Sequence, residues 1–156
     1  EIQYLLDHDI KDKGEYQLTN ALEHMKQKGL KFVPGQVNEW MDCGNKEITI
    51  DTNSKILQFA LKEHENLISK NITLENSKII EPCYIGDNVT LKNTTIGPNV
   101  SLGDDSVVEN SHITNSLIQT NTTIKNANLN EAMIGNHAYF DGDFNSISIG
   151  DYSILK

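Results

Sequence analysis

The pattern of apolar and polar positions changes character partway along the chain. From Leu74 onward, aliphatic residues recur every five or six positions: Ile85, Leu91, Ile96, Leu102, Val108, Ile113, Ile118, Ile124, Leu129, Ile134 and then Phe140. That interval fits neither an amphipathic helix, which repeats at about 3.6, nor an alternating strand, which repeats at 2. It fits a solenoid coil with three short sides, each sending one aliphatic side chain inward. Four segments align in support: LENSKI from Leu74, LKNTTI from Leu91, VENSHI from Val108 and IKNANL from Ile124, with starts 17, 17 and 16 residues apart. About three sides therefore complete one turn. Gly, Asn and Asp follow the aliphatic residues, as in IGDNV, IGPNV, LGDDS and IGNHA. These are the types that tolerate positive φ or bond their own backbone at tight corners. Asn76, Asn93, Asn110 and Asn126 fall at one place in successive coils, which predicts a stack of asparagines at a corner.

Residues 1–67 carry a mixed pattern. QLTNALEHMKQKG sets Leu18, Leu22 and Met25 at helical spacing, with Gly29 as the stop. LKFVP predicts a short strand, Pro34-Gly35 a turn, and QVNEWM a second strand that ends at Asp42. A second helix is predicted from about Thr52 to Glu65, with Ile56, Leu57, Ala60 and Leu61 on one face. So few elements enclose little core, and this half reads as the end of a larger sheet domain. The expected division is therefore 1–67 and 68–156.

Composition narrows the functional classes. The chain has 156 residues and a net charge of -9, which leaves no basic face for nucleic acid. No apolar run approaches the roughly 20 residues that span a bilayer, and the expectation is a cytoplasmic protein without signal peptide or membrane attachment. Cys43 and Cys83 are expected as free thiols, with Cys43 a small buried hydrophobe and Trp40 a packing residue.

The solenoid half, with IGDNVT and IGPNVS, resembles the hexapeptide-repeat left-handed β-helix. Several families carry that helix, so it does not by itself select a function. The first half selects further. GEYQLTNALEHMKQKG, VPGQVNEWMDCGNKE and TNSKIL resemble the last part of the catalytic domain of sugar-1-phosphate nucleotidylyltransferases, over most of residues 13–57. Trp40, Asp42 and Gly44 match that family's W-x-D-x-G element, and the closest likeness is to the glucose-1-phosphate thymidylyltransferase type. Asn45-Lys46 stands where many members have Thr-Pro, and Asn20 where Asp is common. The family's glycine-rich nucleotide loop is absent. The resemblance therefore implies the C-terminal part of such an enzyme: an α/β remnant of the catalytic domain followed by a left-handed parallel β-helix. Such a piece would not be competent alone.

What the resemblance implies for chemistry is transfer of a nucleotidyl group from a nucleoside triphosphate (dTTP as the first expectation) to a sugar-1-phosphate (glucose-1-phosphate first). Pyrophosphate is the product released. Mg2+ is the implied cofactor, with Asp42 as a catalytic ligand to it and a second aspartate expected upstream. Glu15, in GEYQLT, is the candidate for binding sugar hydroxyls or positioning a base. The plainer alternatives are that Asp42 caps the helix starting near Lys46 and that Glu15 is a solvated carboxylate at a helix entry. Two other functions stay open. A hexapeptide-repeat acyltransferase would use a histidine such as His112 or His137 as general base, although both are expected at surface positions. A non-catalytic β-helix module would act through oligomerisation, and a homo-oligomer through the β-helix is the expected assembly.

Overall fold

The computed structural model describes residues 1–63, 65–142 and 147–155. The chain forms two compact units, Glu1–Trp40 and Met41–Lys156.

The larger unit contains a parallel β-solenoid of about five turns, consistent with a hexapeptide-repeat β-helix. Its first face stacks Thr73–Glu75, Thr90–Lys92, Val107–Glu109, Thr123–Lys125, Tyr139–Asp141 and Ile154–Leu155. The second stacks Lys78–Ile79, Thr95–Ile96, His112–Thr114 and Asn128–Asn130. The third stacks Cys83–Ile85, Val100–Leu102, Ser116–Ile118, Met133–Ile134 and Ser148–Ile149. All ladders are parallel and in register, so Leu91, Val108, Ile124 and Phe140 lie one above another. Parallel pairing begins at Ile68, which bridges to Ile85.

The eleven aliphatic and aromatic positions from Ile85 to Phe140 are all no more than 2% exposed, as their spacing predicts. Each coil is one layer thick, so every inward residue packs on the layers above and below. Burying each contributes roughly 1.5–3 kcal/mol. Sequence reading did not anticipate the buried hydroxyls that tie corners together. Ser116 Oγ donates to Thr114 O at 2.6 Å and accepts from Ala132 N at 3.0 Å. Ser111 Oγ does the same between Glu109 O and Ala127 N, at 2.7 and 3.1 Å.

The asparagine stack forms. Asn76, Asn93, Asn110 and Asn126 have φ of 46°, 49°, 50° and 51°. Each carboxamide Nδ2 donates to the next Oδ1, at 3.0, 3.2 and 3.2 Å, and Asn126 donates to Asp141 Oδ1 at 2.8 Å. Asparagine does two things here: it accepts a left-handed backbone, and it links coils. Substitution separates the two. Asn110→Gly should lose the side-chain bonds only, about 1 kcal/mol, while Asn110→Ala should add left-handed strain for about 2 kcal/mol in total. Urea midpoints measure the difference, and equal losses for both variants would contradict the conformational role.

A helix covers part of the third face. This is α3 (Lys46–Lys62), against the strands Val100–Leu102 and Ser116–Ile118. Ser101 Oγ donates to Asn53 Oδ1 at 2.6 Å. The predicted helix is thus present but begins at Lys46, and its buried face is corrected. Of the four residues on the predicted face, Leu57 and Ala60 are buried, while Ile56 and Leu61 are 49% and 43% exposed and Ile50 is buried in their place. A helix laid on a flat strand face buries only a narrow stripe, here Ile50, Leu57 and Ala60.

The smaller unit holds α1 (Ile2–Asp7), which sequence reading did not anticipate, and α2 (Leu18–Gln27). Gly29 follows α2 with φ of 87°, as a helix stop should. The expected apolar face of α2 is corrected: Ala21 is buried, while Leu18 and Leu22 are 63% and 42% exposed. The two strands expected at 30–34 and 36–41 do not form, and Asp42 does not end a strand. A strand exists only where a neighbour completes its ladder, and none lies beside these residues among those described. For the same reason Trp40, expected to be packed, is 80% exposed.

Candidate functional site

The residues singled out by sequence fall in different units, Glu15 in the smaller and Asp42 in the larger. Glu15 closes a tight antiparallel turn with Asp12. The turn residues Lys13 and Gly14 have φ of 52° and 85°. Glu15 N donates to Asp12 O at 3.0 Å and Asp12 N to Glu15 O at 2.9 Å, which fixes the backbone. The Glu15 carboxylate is exposed and accepts from Gln17 Nε2 at 3.2 Å. It therefore stands just before α2, on a rigid turn, with its oxygens open to solvent.

Asp42 lies in the turn that leads into α3. The cap of that helix is Asn45, whose Oδ1 accepts from Ile48 N at 2.9 Å, so capping is not the task of Asp42. Thr49 Oγ1 donates to Asn45 O at 2.7 Å and reaches Cys43 O at 3.3 Å, drawing the turn onto the first helical turn. The carboxylate folds over Gly44: a Cβ there would sit 3.6 Å from Asp42 Oδ1. That is an ordinary van der Waals distance, so the contact does not by itself demand glycine, and the positive end of α3 favours an anionic group nearby. Asp42 is exposed and so is Cys43, contrary to the expectation that the thiol is buried. The buried thiol is Cys83, where loss of hydration pushes the pKa up to about 11 and makes it unreactive as a nucleophile.

The donor set at Asp42 falls short of a magnesium site. Among the described residues, no three His, Cys, Asp or Glu side chains come together to hold a metal ion. Magnesium requires near-octahedral oxygen coordination, and Asp42 supplies one carboxylate.

His112 and His137 lie at the surface positions expected of them. His112 stacks in register between Thr95 and Asn128 on the second face. It edges a shallow depression lined otherwise by Asn93, Asn110, Ser111, Asn126, Ala127 and Asn128, with no carboxylate or thiol to orient or accept from an imidazole. His137 is a corner residue with φ of 55°, stacked on Tyr152 at 4.8 Å.

Sequence reading missed a cavity of about 330 Å³ between α3 and a solenoid corner. Lys46, Glu47, Ile50, Asp51 and Ser54 line it from α3, facing Asn115 and Glu131. These residues are distant in sequence, and no motif marks them. Three carboxylates against one ammonium disfavour a phosphorylated ligand there. Among the described residues, no helix is long and apolar enough to cross a membrane. No protein-family model matches the chain, and no curated protein matches it at the level that indicates relationship.

Proposed function

We propose that this chain is the C-terminal region of a sugar-1-phosphate nucleotidylyltransferase, with dTTP and glucose-1-phosphate as the first substrates to test. The observation that carries the reading is the W-x-D-x-G element at Trp40, Asp42 and Gly44, set after GEYQLT and before a β-solenoid. Exposure in the same stretch supports it. Val33, Val37 and Trp40 are 85%, 68% and 80% exposed, on a segment without helix or strand. Apolar side chains on such a segment are what an edge presents to a neighbouring sheet, and leaving them wet costs about 25 cal/mol per Å².

In the reaction proposed, a phosphate oxygen of the sugar-1-phosphate attacks the α-phosphorus of the triphosphate. A new P–O bond forms, the α–β bridging bond breaks, and pyrophosphate leaves with the bonding electrons. Both reactants are anions, and magnesium is the cofactor expected to offset their repulsion. Asp42 is assigned as one carboxylate ligand, and the reading requires a second that the described residues do not bring to it. Glu15 is assigned to sugar hydroxyls or to orienting a base. The solenoid is assigned to self-association, its flat faces and open ends being surfaces that another copy can cover.

The test is pyrophosphate release by the full-length gene product with glucose-1-phosphate, magnesium and each nucleoside triphosphate in turn. Release is expected with one nucleotide, and Asp42→Asn should lower kcat/KM by on the order of 100-fold with an unchanged melting curve. Absence of release with every nucleotide and sugar phosphate would sink the transferase reading in favour of an acyltransferase or a scaffold. Release that survives Asp42→Asn would keep the transferase and remove Asp42 from its site.

A further inference from the structure

The first face of the solenoid carries a charge pattern that the core does not require. The outward residue ending each of the first five strands is Glu75, Lys92, Glu109, Lys125 and Asp141, stacked in register from one coil to the next. The signs alternate without a break. In-register parallel strands set equivalent positions about 4.8 Å apart, so a repeated charge would meet its own kind at every step. The flanking columns carry no charge: Thr73, Thr90, Val107, Thr123 and Tyr139 on one side, and Asn76, Asn93, Asn110 and Asn126 on the other. Among the described residues of this face, the charges nearest each rung are therefore the rungs above and below it.

The third of these four steps closes as an ion pair. Lys125 Nζ lies 2.9 Å from Glu109 Oε2, with the two side chains only 34% and 25% exposed. The hydrogen bond from Lys125 holds the Glu109 carboxyl below its usual range, and Lys92 on the opposite side acts in the same direction. Lys125 is in turn raised, chiefly by Glu109, with Asp141 beyond it adding to the effect. One carboxylate thus feels both neighbouring ammonium groups.

We propose that this column is an electrostatic brace that stabilises the coil stack along its axis, and that its effect resides in the alternation of sign rather than in the residues themselves. Strands of two or three residues bring few backbone hydrogen bonds per coil, so coupling between side chains of successive coils adds stability that short ladders lack. Isolated surface pairs contribute little, but charges whose neighbours on both sides are opposite act as a network.

The experiment inverts the column while keeping it alternating. Asp141→Asn serves as the background, because asparagine retains an acceptor for Asn126, which bonds Asp141 Oδ1 at 2.8 Å. In that background Glu109→Lys, which sets three ammonium groups in succession, should lower the melting temperature by about 5 °C. The fourfold inversion Glu75→Lys, Lys92→Glu, Glu109→Lys, Lys125→Glu should melt within about 2 °C of the background. The gap between the two variants should narrow in 1 M salt, where the screening length falls to about 3 Å. A fourfold inversion as unstable as the single reversal, or a gap indifferent to salt, would overturn the proposal.

Discussion

Replacing Gly97 by alanine is expected to lower the melting temperature of the solenoid by about 10 °C or more. Gly97 has φ of +99°, which an L side chain rarely adopts. A Cβ there would stand 1.9 Å from Ile80 O and 2.6 Å from Cys83 Sγ. Neither side can retreat cheaply. Gly97 N donates to Ile113 O at 2.8 Å, and Ile80 N donates to Ile96 O at 2.8 Å, so both backbones are pinned between coils. Gly150→Ala is the matched control, since nothing lies within 4 Å of its would-be Cβ and no positive φ is involved. Thermal melts of the two variants decide the matter. A Gly97→Ala protein that melts with the control would mean the coils slide apart more easily than close packing allows.

Phe140→Ala is expected to cost about 3–5 kcal/mol in denaturant unfolding. The ring is fully buried, stacked in register between Ile124 and Leu155, and it is the largest side chain in the column. Removing it leaves a cavity whose roof and floor belong to different coils, and each is held by its own parallel ladder. Collapse onto the void is therefore limited. Phe140→Leu should recover most of the loss, because it refills much of the volume. Since each coil contacts only its neighbours, the damage should be local: amides of 123–142 should exchange faster while those near Leu91 keep their protection. Uniform acceleration throughout the solenoid would instead indicate a single all-or-none unit.

The two predictions differ in how far sequence alone could have made them. Phe140 is the last member of the five-or-six-residue series, and its burial follows from counting. Gly97 is one of several glycines after an aliphatic residue, and only its positive φ and the approach of Ile80 O and Cys83 Sγ separate it from Gly150. The same contrast runs through the candidate site. That Asp42 precedes a helix is legible in WMDCGNKE, but the assignment of the cap to Asn45 required the Ile48 N to Asn45 Oδ1 bond. The cavity beside Ile50 and Glu131 had no sequence signal, because its walls are joined only by the docking of α3.

The sequence by itself determined the solenoid: its three faces, its inward residues from Ile85 to Phe140 and its asparagine corner. In a solenoid each residue packs against its equivalents one coil away, so tertiary contacts repeat at a fixed spacing along the chain and periodicity records them. Tertiary structure decided the rest. It set α3 on the third face with Ile50 buried and Ile56 outside, left Trp40 and Cys43 in solvent, and gave residues 36–41 no ladder although their pattern alternates like a strand. Those outcomes depend on which surface is offered to a segment, and no spacing within the segment encodes its partner.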